Sequence, residues 1–281
     1  MRFISFLSSF YAAWRDYPVA AGTVLGNRYV VQEIVGQGSY GLTYKCVDRA
    51  SGSLVAVKQA RPSKGPYAKR LLEREAMILK ALPHPRFPAF IEWFTGKGNA
   101  YLAMSFLQGD TFEDLIFGLD YKYGERECVR ITRQLLELIM YTHEKGYVHL
   151  DLRIPNVLVK DGEIYLIDFG LARKIGEPAP DHFPVRNGFG RHGTASRQFK
   201  AAEVSSDLLD IGHFMLFLLY SAYEPEKNSG PSEERSWQDE LALSGELKTV
   251  IERLLELREP YSGSADFMKE LESLSHLTKL Q

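Results

Sequence analysis

Cysteine is nearly absent: Cys46 and Cys128 are the only two in 281 residues. Two cysteines make no disulfide framework and supply no metal-binding thiolate cluster, so a reducing compartment, the cytoplasm, is the expected setting. An excess of either charge is also lacking, with 34 Lys and Arg against 36 Asp and Glu and a net charge of −2. No global basic field is available to hold nucleic acid or an anionic membrane by charge alone. Long apolar runs are missing too. Ile211–Tyr223 (IGHFMLFLLYSAY) falls short of the roughly 20 residues that span a bilayer, and it is expected as a core helix. The N-terminal run Met1–Trp14 soon meets Arg15 and Asp16 and has no small-residue cleavage site, so a secretory signal is not expected. No internal repeat is found. With 45% hydrophobic and 25% charged residues the chain is neither disordered nor fibrous, and its length suits one large domain or two small lobes.

What is present is a pattern that changes along the chain. From Arg28 to about Phe106 the segments RYVVQEIV, LTYKCVD, LVAVKQA, FIEWF and AYLAMSF carry strand signals between Gly and Pro punctuation. One helix interrupts them, Ala68–Ala81, where Leu71, Leu72, Ala76, Ile78 and Leu79 fall at helical spacing. From Thr111 onward the pattern is mostly helical, as over Glu127–Lys145, with a short strand pair around Asn156–Leu158 and Tyr165–Ile167. Loops are expected over Gly176–Arg197 and Glu224–Ser236. A β-rich lobe followed by an α-rich lobe is an α+β arrangement with a cleft between the two.

Several constellations carry chemistry. Gly36, Gly38 and Gly41, in the run Gly36–Gln37–Gly38–Ser39–Tyr40–Gly41, lie between two strand-like segments rather than before a helix. That context favours a flap whose backbone N–H groups close over phosphates, not a dinucleotide-binding turn. In Val55–Ala56–Val57–Lys58, Ala56 and Lys58 share one face of an alternating strand. A small residue beside a cation lets an adenine lie flat while the ammonium reaches phosphate oxygens. On the following helix Glu75 sits nearer the apolar stripe than its rival Glu73.

The strongest signal is His149–Leu150–Asp151–Leu152–Arg153–Ile154–Pro155–Asn156. An Asp and an Asn five positions apart, in a loop bent by Pro155, flank one reacting centre. The Asp accepts a hydroxyl proton and the Asn amide oxygen binds Mg2+. The strand-like Tyr165–Leu166–Ile167 then ends in Asp168–Phe169–Gly170, and a carboxylate at the end of a buried strand needs a partner or a metal.

Taken together, in this order and spacing from about Leu25 to about Leu274, these motifs resemble a protein kinase, specifically a bacterial one of the eukaryotic-like Ser/Thr type. The resemblance implies a two-lobed kinase fold, with an N-terminal aromatic helix and linker over 1–24, an N-lobe over 25–106 and a C-lobe over 107–281. It implies that Lys58 holds the α- and β-phosphates and pairs with Glu75, that Asp151 is the catalytic base, and that Asn156 and Asp168 hold Mg2+, with Mn2+ as an alternative ion. An adenine slot is implied from Val35, Thr43, Ala56, Met104, Leu158 and Ile167, with a hinge over Ser105–Leu107 and Met104 as gatekeeper. Ser206–Asp207 resembles the start of the long C-lobe helix, whose Asp steadies the catalytic loop. ATP is the implied co-substrate, and Ser/Thr hydroxyls of proteins, including the kinase's own, are the implied acceptors.

Four departures from the family pattern stand out. Leu150 precedes Asp151 where regulated kinases carry an Arg that pairs with an activation-loop phosphate, which implies activity independent of that switch. Arg153 stands where Lys is usual, a planar fork in place of a point charge. GTASRQFKAAE is two residues longer than the family's G-T-x-x-Y-x-A-P-E and has Ala202 for Pro, with Thr194 as the threonine associated with Ser/Thr specificity. The family's late Arg partner for Glu203 is not obvious: Arg258 substitutes, or the anchor is absent.

Outside the core, Phe3, Leu7, Phe10 and Trp14 form an aromatic stripe at helical spacing, expected to pack on the β-rich lobe, with a partner groove or a membrane surface as the other readings. Two alternatives to a protein kinase remain at this point. A small-molecule kinase of the aminoglycoside- or choline-kinase kind shares H-x-D-x-x-x-x-N, and a pseudokinase scaffold binds nucleotide without transfer.

Overall fold

The computed structural model describes residues 16–178, 200–224 and 235–277, with side chains described to Leu274. The N-terminal aromatic stripe, Thr194 and most of the two expected loops lie outside the described residues. The chain divides into two compact units. The first comprises the chain up to Gly109 together with Tyr165–Leu171; the second comprises Asp110–Ile164 and the chain from Ala172 onward.

The first unit is built on β1 (Val24–Leu25), β2 (Tyr29–Gln37), β3 (Gly41–Asp48), β4 (Leu54–Ala60), β5 (Phe90–Gly96) and β6 (Asn99–Ser105). They form one antiparallel sheet in the order β1-β2-β3-β4-β6-β5. Alternation dictates its inner face: on β3, Leu42, Tyr44 and Cys46 are fully buried, and they pack with Tyr29, Val31, Val55, Val57 and Tyr101. Two irregularities interrupt β2, between Val31 and Glu33 and between Ile34 and Gly36. The second leaves Val35 as an extra residue just before the glycine run. The β3–β4 turn is held by Asp48, which grips the Arg28 guanidinium in a fork at 2.7 and 2.8 Å and accepts from Ala50 N. Arg28 holds the Asp48 carboxyl well below the usual carboxylate range.

α1 (Gly65–Ala81) packs on this sheet. It begins three residues earlier than the apolar stripe indicates, because Pro66 in the first turn needs no N–H partner and is already set at a helical φ. Its buried positions Tyr67, Ala68, Leu72, Glu75, Ala76, Ile78 and Leu79 follow the helical period.

The second unit is mainly helical: α2 (Glu125–Glu144), α3 (Val204–Tyr220), α4 (Trp237–Glu240), α5 (Gly245–Leu254) and α6 (Ser264–Leu277). α2 turns Cys128, Ile131, Leu135, Leu138 and Ile139 inward and packs against α3 and α6. α3 meets α5 closely at Gly212, where an added Cβ would lie 2.9 Å from Leu254 Cβ. α5 is capped by the Ser244 hydroxyl, which accepts from Leu247 N.

Short strands complete the unit. β7 (Asp110–Thr111) pairs with β9 (Val157–Lys160), and β8 (Tyr147–Val148) pairs with β11 (Arg173–Lys174). β10 (Glu163–Leu166) follows β9 after a two-residue turn and carries the chain back to the first unit. Asn156 belongs to a 3-10 turn over Ile154–Asn156 rather than to the strand expected there, since Pro155 sets the turn. Among the described residues no helix is long and apolar enough to cross a membrane.

Candidate active site

In the first unit the glycine run spans the end of β2, the turn and the start of β3. Gly36 lies opposite Thr43, and Gly38 N–H donates to Gly41 C=O at 3.0 Å. Gln37, Gly38 and Ser39 are exposed, while the Tyr40 ring meets Tyr67 edge-on. Arg61 ties the flap down, its N–H donating to Tyr40 C=O at 2.8 Å and its Nε to Gly38 C=O at 2.7 Å. Beneath the flap, register alone gathers three of the expected slot residues with Lys58. Thr43 lies opposite Lys58, and Ala56 lies opposite Met104, so all four share one face of the sheet. Val35 sits at the β2 irregularity and is half-exposed, and Ser105 ends β6, its hydroxyl accepting from Ala89 N. Leu107 is half-buried.

Lys58 is the centre of this unit's chemistry. Its Nζ lies 2.9 Å from Glu75 Oε2 and 2.7 Å from Asp168 Oδ1. Glu73, the rival on the same helix, pairs instead with Lys69 one turn away. Glu75 is 1% exposed, and burial pushes its carboxyl up to about 7 against the pull of Lys58. Burial lowers the Lys58 pKa, but Asp168 and Glu75 outweigh it and the net direction is upward. The ammonium is therefore charged at every physiological pH.

Asp168 adopts φ 62°, in the left-handed region. Its neighbours hold it there: Gly170 N–H donates to Asp168 Oδ1 at 3.2 Å, and Phe169 is fully buried against Phe87. An added Cβ on Gly170 would stand 3.1 Å from that same carboxylate oxygen, so this position suits glycine. Ile167 is half-buried at the strand end before Asp168.

The second unit carries the other constellation. The loop from His149 to Asn156 is hung from α3: Asp207 accepts His149 N–H at 2.9 Å and Leu150 N–H at 2.7 Å. Asp207 is itself fully buried and meets His143 Nε2 at 2.9 Å. These bonds keep Leu150 at φ 64°, a left-handed conformation that a leucine does not adopt unaided. Asp151 is fixed from two sides. Asn156 Nδ2 donates to its backbone C=O at 2.8 Å and to Oδ2 at 2.9 Å, and Arg153 grips the carboxylate at 2.7 and 2.9 Å. Both Asn156 bonds use the amide nitrogen, so its amide oxygen is the atom suited to a cation. Leu158 is buried on β9, opposite Thr111.

The donor set fits Mg2+ in one particular sense. Among the described residues no three His, Cys, Asp or Glu side chains gather into a metal cage. Taken singly, the Asn156 amide oxygen of the second unit and the Asp168 carboxylate of the first are each the kind of hard oxygen donor that Mg2+ takes beside phosphate and water.

Among the described residues Glu203 has no Arg partner. Glu203 is exposed and its described bond is to Ser205, while Arg258 pairs with Glu252. Three residues escaped the motif pattern: Arg173, Lys200 and Asp210. Asp210 left a signal, since a carboxylate inside the apolar stretch LLDIGHFMLF needs a partner.

Comparison with known proteins gives the family. The protein kinase domain model matches residues 29–207. A probable serine/threonine-protein kinase, YbdM of Bacillus subtilis, is 33% identical over 258 residues, covering 91% of this chain and 93% of its own. Smooth-muscle myosin light chain kinase of Gallus gallus is 33% identical over 152 residues, 52% of this chain and 8% of that protein. Cyclin-dependent kinase D-1 of Arabidopsis thaliana is 31% identical over 156 residues, 55% of this chain and 39% of that one. The crystal structure of a kinase domain superposes with a TM-score of 0.60 at 20% identity, covering 73% of this chain and 68% of that one. The chain belongs to the protein kinase family, and within it to the serine/threonine kinases of the bacterial, eukaryotic-like type.

Proposed function

We propose that this kinase transfers the γ-phosphate of Mg-ATP to serine and threonine hydroxyls of proteins, its own included, with residues drawn from an N-lobe of residues 25–106 and a C-lobe of residues 107–281. The observation that carries the reading is the position of Lys58, within 3 Å of both Glu75 and Asp168. A charged lysine held between two carboxylates is pre-oriented for phosphate oxygens and needs no rearrangement to offer its ammonium.

In this reading Lys58 binds the α- and β-phosphates while Glu75 fixes its direction. The flap from Gly36 to Gly41 lends backbone N–H groups to the triphosphate. Val35, Thr43, Ala56, Met104, Leu158 and Ile167 line the adenine slot, and Ser105–Leu107 serve as hinge. Asp151 accepts the acceptor hydroxyl's proton on its carboxylate. Arg153 holds that carboxylate and presents a second cation to the transferring phosphate. Asn156 and Asp168 would each offer an oxygen to Mg2+, which when bound would neutralise developing phosphate charge. The chemistry demands little covalent work, so positioning and charge account for the rate. Leu150 offers no cation to a phosphorylated activation segment, which supports activity without that modification. We place the enzyme in the cytoplasm.

The test is transfer of γ-phosphate from Mg-ATP to the protein itself and to a generic protein acceptor, with Asp151→Ala alongside. Phosphoserine or phosphothreonine that disappears in the variant is the expected result. Mg-dependent nucleotide binding without any transfer to protein overturns the reading.

A further inference from the structure

The residues on either side of 179–199 are described, and they are bonded to each other. On the leading side, Arg173 is 4% exposed although it carries a guanidinium. It donates to Lys200 C=O, and also to Glu177 C=O at 3.5 Å. Gly176 N–H donates to Ala202 C=O at 2.8 Å, and Ile175 N–H donates to Gly146 C=O at 2.9 Å. On the trailing side, Lys200 Nζ forms an ion pair with Asp210 Oδ1. The other oxygen of Asp210 accepts Leu152 N–H at 3.3 Å, one residue beyond Asp151. A continuous path thus runs from Arg173 through Lys200 and Asp210 to the loop that carries Asp151.

We propose that Lys200 and Asp210 are a positioning pair, clamping the chain at Lys200 to the loop of Asp151 without a phosphate. The proposal rests on the reading of Asp151 as catalytic base. Its physical ground is what the pair displaces. Among the described residues no Arg meets Glu203, and Leu150 cannot grip a phosphate. Asp210 is 6% exposed on its side chain, so its charge needs a cation, and Lys200 supplies it from a side chain that is itself 41% exposed. One carboxylate therefore has two duties, with one oxygen for the segment and one for the loop. Moving Lys200 perturbs the amide next to the base. Val148, Leu150 and Ala202 add a small buried apolar contact to the same junction.

The experiment uses the full chain, Mg-ATP and myelin basic protein as acceptor. Lys200→Met is expected to lower kcat about tenfold, equivalent to about 1.4 kcal/mol of transition-state stabilisation, with KM for ATP unchanged. Lys200→Arg is expected to restore it. Asp210→Asn combined with Lys200→Met should cost no more than the worse single variant, because both remove one interaction. Hydrogen exchange over Ala172–Pro178 gives a readout that needs no activity: it should quicken in Lys200→Met and recover in Lys200→Arg. A Lys200→Met enzyme with wild-type kcat overturns the proposal, and so does unchanged exchange over that peptide. If the wild type transfers no phosphate, the functional reading fails, and the exchange arm alone decides the clamp.

Discussion

Leu150 and Ala202 share one buried apolar cluster with Val148, so the residue before the catalytic loop's Asp151 faces carbon rather than charge. The two departures from the family motif at these positions meet in space. An arginine at position 150 would place a guanidinium in this cluster with no carboxylate there to receive it. Leu150→Arg is therefore expected to destabilise the fold by about 3 kcal/mol or more, read as a lower denaturation midpoint, without creating dependence on phosphate. Unphosphorylated and autophosphorylated wild type should differ in rate by less than about tenfold. A hundredfold rise on phosphorylation contradicts the assignment.

Asp207 keeps Leu150 in its left-handed conformation by taking two consecutive backbone N–H groups. Backbone strain of this sort costs about 1–3 kcal/mol and persists only while its partners hold. Asp207→Asn still accepts one of the N–H groups and brings an amide donor that repels the other. We expect kcat to fall at least about tenfold while nucleotide affinity stays within about twofold, measured by steady-state kinetics and by equilibrium titration.

Glu75 provides a pH signature. Its folded pKa, about 7, lies above its ordinary value because it is buried. A group raised in the folded state contributes stability that is whole below about 4.5 and is lost as pH rises through about 7. Relative to Glu75→Gln, which cannot ionise, wild-type stability should thus decline across that window, by an amount on the order of 2 kcal/mol. Denaturation of both proteins at pH 5 and pH 8 measures it. A difference that stays flat or grows toward pH 8 contradicts the burial argument.

Gly212 tests packing apart from chemistry. A methyl group there would press on Leu254 Cβ at 2.9 Å and on Leu255 Cδ2 at 3.1 Å, where two helix backbones come close. Gly212→Ala should cost about 1–3 kcal/mol of stability despite alanine's better helix propensity, because overpacking outweighs the propensity gain of roughly 1 kcal/mol. Thermal unfolding reads the loss, and activity per folded molecule should be unchanged.

Much of this protein is written locally. Alternation marked β2, β3 and β4, and the apolar stripe marked α1, because period 2 and period 3.6 are properties of neighbours in the chain. The glycine run, Lys58, the loop from His149 to Asn156 and Asp168–Phe169–Gly170 were recognisable for a similar reason, since phosphoryl transfer demands those residue types in that order. Other features had no such mark. The apolar stripe favoured Glu75 over Glu73 without showing its contact with Lys58, and the pairing of Thr43 with Lys58 and of Ala56 with Met104 rests on strand register. Arg173, Lys200 and Asp210 belong to no motif, since the path that joins them to the loop of Asp151 links residues 27, 10 and 58 positions apart along the chain. Composition and spacing thus decided the kind of fold and the chemistry it carries. Packing decided which charges are paired, which backbone is held left-handed and which departures meet. A buried charge is stabilised by whatever lies within about 4 Å of it, and that neighbourhood exists only once the chain has folded.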